Sequence, residues 1–265
     1  MKEITIPAKI IFSLGPVPIT DANLGALLVT LGIFIVAFMA SRKFSIIPTR
    51  IQIVFEMLTE YVMEQLENAF GDKERARNFF PMFITLLLFL IVANELSLVP
   101  LIFQITYQGD DLFRLPASDF SLTVALALTI FVISHIMALK ISPINHLKNF
   151  IAIEPLLKAR KPMEFFQATV DFMIGFLNII GEFAKVISLS ARLFGNLFAG
   201  EVMVMVIISL ASFTRFIVPI PFIVLSQMGG LVQALVFFLL SIQFIALAID
   251  GATPPAESKE QLSHS

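Results

Sequence analysis

The chain has 265 residues, of which 57% are hydrophobic and 14% charged, with a formal net charge of -2 and a mean hydropathy of +0.90. Soluble domains carry about 25% charged residues, so this composition describes an integral membrane protein, and the near-neutral balance gives no hint of nucleic acid as a partner. The absence of cysteine excludes disulfides, thiol nucleophiles and iron–sulfur ligation, and the sequence has no glycine-rich phosphate loop or metal-spaced histidine cluster.

Pro7, Pro16, Pro18 and Glu3 interrupt the first twenty residues, so no cleaved signal peptide is expected there. About 20 apolar residues cross a hydrocarbon core, and on that measure the predicted spans are 22–41, 80–105, 119–139, 165–212 and 219–249. Between the first two, residues 48–70 place Glu56, Glu60, Glu64 and Glu67 opposite Ile51, Val54, Phe55, Leu58, Val62, Leu66 and Phe70. This pattern predicts an amphipathic helix lying along the membrane surface, its acidic face solvated. The fold class is therefore an all-α membrane protein, with five membrane-embedded helices plus one interfacial helix in a single domain over 1–265.

Lysine and arginine are retained on the cytoplasmic side of short loops. Arg42, Lys43, Arg50, Lys73, Arg75, Arg77, Lys140, Lys148, Lys158, Arg160, Lys161 and Lys259 fall on one side, and only Lys2, Lys9, Arg114 and Arg215 on the other. The expected orientation is N-terminus outside and C-terminus cytoplasmic. His135 and His146 fall near the cytoplasmic end of the third span and its loop, in no recognisable motif, where surface hydrogen bonding is expected ahead of the alternative of a proton relay.

Residues 165–210 contain no proline and predict one helix about 69 Å long at 1.5 Å per residue. A hydrocarbon core is only about 30 Å thick, so such a helix tilts steeply and forms a tilted hairpin with the last helix. Asp171, Asn178, Lys185 and Arg192 recur every seven residues and fall within about 60° of one another, with Asn196 about 40° from Arg192. Glu182 borders this stripe, and Glu201 points to the opposite face. The last helix carries Ser226 and Gln233 seven apart, with Gly229 and Gly230 between them permitting close approach of a neighbour.

Arginine keeps its proton, so Arg192 is a fixed cation in an apolar run and marks function unless an anion holds it structurally. Glu182 and Asp171 are the candidates for a structural pair; Lys185 is expected to pair with Glu182 or to snorkel. Glu95, with Asn94, is an intramembrane carboxylate near the outer end of the second span.

The run from Ser188 to Glu201, SLSARLFGNLFAGE, together with Gln233-Ala234, Asn94 and Pro100, resembles subunit a of bacterial F-type ATP synthases over nearly the whole chain. The resemblance implies a non-catalytic stator in the bacterial inner membrane, which offers two offset half-channels to a c-ring whose carboxylates carry the ion. Nucleotide chemistry then belongs to other subunits, the partners are the c-ring, peripheral stalk subunit b and the remaining synthase subunits amid lipid, and no cofactor or metal is required.

By the same resemblance Arg192 faces the ring, Asn196 and Gln233 are its polar neighbours, and Glu201 belongs to the outer access channel. An arginine beside a carboxylate lowers its pKa by about 1–3, so a ring site reaching Arg192 would release its proton. Two positions depart from the family pattern. Ser226 stands where members often have histidine or a small residue, and Asn178 stands where many have glutamate, which makes Glu182 the expected inner-channel carboxylate. The competing readings are a secondary transporter binding an anionic substrate at Arg192 and a passive membrane anchor. The proline-free 165–210 segment does not suit the first, since transporter sites favour broken helices, and the polar stripe is left without a role by the second.

Overall fold

The computed structural model describes residues 10–14, 17–41, 49–96, 106–107, 110–111, 119–148, 150, 162–210 and 218–253. Seven helices lie among them: α1 (Asp21–Ser41), α2 (Arg50–Phe70), α3 (Lys73–Leu96), α4 (Phe120–Ile141), α5 (Pro143–Lys148), α6 (Pro162–Leu210) and α7 (Pro219–Ala252). Four segments are long and apolar enough to cross a membrane, namely Lys73–Leu96, Phe120–Ile141, Phe165–Val204 and Pro219–Ala252. The apolar part of α1, Asn23–Met39, is shorter.

The all-α expectation needs one amendment. Two small antiparallel hairpins are present, β1 (Ile10–Leu14) with β2 (Val17–Thr20) and β3 (Thr106–Tyr107) with β4 (Asp110–Asp111). Both flank helices rather than interrupt them, where backbone groups outside hydrocarbon can pair across a strand ladder.

The helix that carries the second predicted span begins before residue 80. Helix α3 runs 73–96, so Lys73, Arg75 and Arg77 are its first turns rather than a loop, while 97–105, including Pro100, lies outside the described residues. The cause is local capping chemistry. Gly71 takes φ 63°, a left-handed conformation that suits glycine, and its N–H donates to Glu67 O at 2.9 Å, closing α2. Asp72 Oδ1 then accepts from Glu74 N at 2.9 Å and starts α3 at once. The α2–α3 turn is thus two residues long, and Phe70 stacks on Phe79 across it at 4.9 Å between centroids.

Helix α2 begins where Thr49 Oγ1 accepts from Gln52 N at 3.4 Å. Its predicted apolar side divides: Val62 and Leu66 are fully buried, whereas Val54 is exposed along with Ile53 and Met57. The buried part packs on α3 and α7, with Tyr61 against Phe238 at 6.4 Å.

Helix α7 is the centre of the bundle and packs on α4, α6, α3 and α2. Phe237, Phe238, Ile242 and Ile245 meet Phe83, Leu87 and Leu90 of α3 in the core, with Phe83 edge-on to Phe238 at 5.9 Å. The 49 residues of α6 form one continuous helix, about 74 Å long at 1.5 Å per residue. In its most apolar stretch only 11% of residues are buried, against 50% for α7, so most of the surface of α6 is open to lipid or a partner.

Candidate functional site

Arg192 lies on the open side of α6. Its neighbours at helical spacing, Ser188, Ala191, Gly195, Asn196 and Ala199, are also exposed, so the face around the guanidinium is built from small residues. Opposite, Leu189, Leu193 and Leu197 are buried and fix the rotation of the helix. The only hydrogen bond of Arg192 among the described residues joins Nη2 to Ser188 Oγ at 3.5 Å.

The two structural anions weighed for Arg192 are both elsewhere. Glu182 Oε1 binds Lys185 Nζ at 2.6 Å, and Lys185 also lies over the Phe244 ring at 5.4 Å from its centroid. Asp171 is exposed and about 32 Å away along α6, counting 1.5 Å per residue. The seven-residue stripe therefore divides in two. Asn178 and Lys185 line a cavity beside α4 and α5, while Arg192 and Asn196 belong to the open face.

Asn196 sits at a junction of three helices. A Cβ on Gly229 of α7 would lie 3.5 Å from its side-chain amide, and one on Gly230 would lie 3.3 Å from Asn94 Cβ and 3.9 Å from Leu197. These two glycines give α3 and α6 the room to approach α7 at the same level. Asn94, buried at the end of α3, uses that room to donate from Nδ2 to Gly230 O at 2.9 Å. Glu95 follows, with a buried Oε1 that has no hydrogen-bond partner among the described residues.

Gln233, one turn beyond Gly229, is buried in α7, and its Nε2 likewise lacks a partner there. It does not hydrogen-bond Arg192, so the structure brings Asn196, Asn94 and the glycine pair together without adding Gln233 by direct contact. Ser226 lies against Gly200, where a Cβ would overlap its Oγ. This is a close crossing of α6 and α7 and sets the half-buried Glu201 beside it.

A cavity of about 250 Å³ opens at the other end of the stripe, lined by His135, His146, Phe150, Asn178, Glu182 and Lys185 among others. A second, about 10 Å³, lies on the far side of the Glu182–Lys185 pair between α4, α6 and α7. The two histidines were not singled out as a site by the sequence, because they are eleven residues apart and only the turn into α5 folds them together. Their rings meet edge to face at 5.2 Å between centroids. Burial, reinforced by His135, holds the His146 imidazole below the usual histidine range, and Glu182 partly offsets this.

Glu182 and Glu201 thus lie on either side of Arg192, about 15 Å and about 13.5 Å away along the helix axis. No group of three or more metal-ligating side chains occurs among the described residues.

Apolar helices of this length, an oversized and largely uncovered α6, and a polar site on it define a multi-pass membrane protein. The sequence profile of the family described as ATP synthase A chain matches residues 24–246. The chain belongs to that family. It is 32% identical over 242 residues to ATP synthase subunit a of Moorella thermoacetica, covering 91% of this chain and 96% of the relative. It is 28% identical over 232 residues to ATP synthase subunit a of Citrifermentans bemidjiense, covering 88% and 89%, and 31% identical over 227 residues to that of Desulfosudis oleivorans, covering 86% and 85%.

Proposed function

We propose that this chain is the ion-translocating stator subunit of an F-type ATP synthase. It offers two offset half-channels to a ring of small subunits and couples ion flow to ring rotation and ATP synthesis. Nucleotide chemistry is performed by other subunits, and the peripheral stalk holds this chain against the ring. The observation that carries the reading is Arg192 itself: a permanent cation on an open face of small residues, its one hydrogen bond among the described residues made to a neutral hydroxyl. Both internal carboxylates that might hold it are paired with another group or out of reach. A fixed intramembrane charge of this kind calls for an anion from outside the chain, and small side chains let a partner helix come close.

The mechanism follows from charge. A ring carboxylate moving through lipid is neutral while protonated. When it reaches Arg192, the guanidinium favours the ionised form and the proton leaves through one half-channel. A proton arriving by the other neutralises the site and lets it move on. Because Arg192 cannot discharge, it also repels protons that would otherwise pass straight between the channels.

Glu182 with Lys185 and Asn178 serves the inner channel; Glu201, Ser226, Asn94 and Glu95 serve the outer one. Asn196 and Gln233 are polar neighbours at the level of Arg192. With α1 as a fifth embedded helix and α2 at the interface, the lysine and arginine distribution sets the N-terminus outside and the C-terminus in the cytoplasm of a bacterial inner-membrane protein. Purification in mild detergent tests the assignment: the chain is expected to arrive with a ring of small hairpins. A monomer that transports solute by itself rejects the stator reading in favour of a secondary transporter.

A further inference from the structure

We propose that His146 and His135 form a proton relay at the mouth of the inner cavity, passing protons between the aqueous phase and Glu182. This deepens the ion-translocation reading and rests on it. His146 is only 7% exposed, yet its Nε2 has no hydrogen-bond partner among the described residues and the residue lines the 250 Å³ cavity. A buried nitrogen of this kind costs about 1–3 kcal/mol if it stays unsatisfied, so it points to something polar in the cavity. The cavity has room for several waters.

His135 supplies the second station. Its Nδ1 lies 3.0 Å from Phe131 O, and a carbonyl can only accept, so Nδ1 carries a proton in that bond. The neutral ring then keeps its lone pair on Nε2, where it can take a proton and release it again without changing tautomer. Phe131 lies tilted against His135 at 4.2 Å between centroids, and Phe150 lies 5.8 Å from His135 and 5.0 Å from His146, so both rings are held in an aromatic wall.

Glu182 is the acceptor on the far wall. It borders both cavities, and the smaller one, of about 10 Å³, is also lined by Val186 and Leu189, on the Arg192 side of Glu182 along α6. That volume is about one probe sphere, room for a single water. The groups facing His146 are His135 on α4 and Glu182 and Lys185 on α6, and α7 contributes Leu247, Ala248 and Gly251. Asp250 of α7 interacts with Arg75 instead. Each transfer moves one proton onto a neutral imidazole nitrogen and off the same nitrogen to the next acceptor. Both rings therefore end neutral, and the reverse sequence carries a proton outward. A weakly held proton on His146 suits such a shuttle, because it is surrendered readily.

The experiment uses the complete synthase in vesicles and measures passive proton conductance across its membrane sector, with free imidazole as the rescue probe. His146→Gln and His135→Gln are each expected to lower conductance at least about tenfold near neutral pH, the lower end of what a positioned acid–base group supplies. Added imidazole should restore much of it, and the dependence of conductance on pH should flatten. A structural role would not respond to imidazole. If His146→Gln does not assemble, His135→Gln, at a half-buried position, bears the test alone. Wild-type conductance in the assembled variants, or a loss that imidazole does not reverse, overturns the relay. Failure of the underlying reading looks different: the wild-type complex would then conduct no protons, or Arg192→Ala would conduct and pump as wild type does.

Discussion

The crossing of α6 and α7 at Gly200 and Ser226 gives a prediction whose magnitude can be worked from the structure. In Gly200→Ala the new methyl overlaps Ser226 Oγ and lies 3.3 Å from Ser226 Cβ. The hydroxyl can rotate away, at a cost of about 0.5–1.5 kcal/mol if it is forced off a rotamer minimum. The Cβ contact has no such escape, so the helices must separate by a few tenths of an ångström. Overpacking of this kind costs about 1–3 kcal/mol, while alanine gains back about 0.8–1.0 kcal/mol over glycine in helix propensity. The net expectation is a loss of about 1 kcal/mol in the stability of the α6–α7 hairpin. Ser226→Gly removes both contacts, so the double variant should recover the overpacking cost and show a favourable coupling of about 1–2 kcal/mol. Thermal melting of the purified complex in mild detergent reads stability, and ATP-driven proton pumping reads whether the crossing beside Glu201 has moved. Additive effects of the two substitutions, or a Gly200→Ala variant as stable as wild type, would refute the packing argument.

Three further outcomes are expected. Glu182→Gln should suppress proton pumping in vesicles while Lys185→Met largely preserves it, because only the carboxylate carries protons; equal losses would mean the pair is structural, and unchanged pumping in Glu182→Gln would remove Glu182 from the inner channel. Asn94→Leu deletes the 2.9 Å bond to Gly230 O and should destabilise the α3–α7 contact by about 1 kcal/mol, since the carbonyl keeps its helical partner, and melting of the complex decides this. The His146 imidazole sits below the ordinary histidine pKa of 6.5, so the unfolded chain binds more protons as pH falls through that value. Stability should therefore be full above about pH 6.5 and decline below it, and His146→Gln should flatten the decline in a pH series of melting curves.

Much of this arrangement is legible in the residues. Hydropathy alone marks the third and last spans: α4 runs 120–141 against an expected 119–139, and α7 runs 219–252 against 219–249. The proline-free 165–210 run becomes one helix from 162 to 210, because nothing within it breaks the hydrogen-bond ladder. The glycine pair in α7 also reads correctly as space, and its occupants are Asn196 and Asn94.

What periodicity could not supply is which polar residues meet. A stripe drawn at 100° per residue treats Asn178, Lys185 and Arg192 as one surface, but the Glu182–Lys185 bond and the packing of α4 and α5 separate the inner part from the open face. Likewise, hydropathy did not mark the first seven residues of helix α3, since it ignores Gly71 and Asp72, whose caps start α3 in a charged segment. The histidine cavity was invisible for the same reason: it depends on a tertiary fold-back through α5, not on spacing.

The central claim is that a permanent guanidinium on the open face of α6 governs ion release by a partner ring. Substituting Arg192 with lysine keeps a positive charge but makes it compact and able to lose its proton when desolvated. ATP-linked proton transport in vesicles containing the assembled Arg192→Lys complex is predicted to be abolished. Transport at the wild-type rate in that variant would contradict the account.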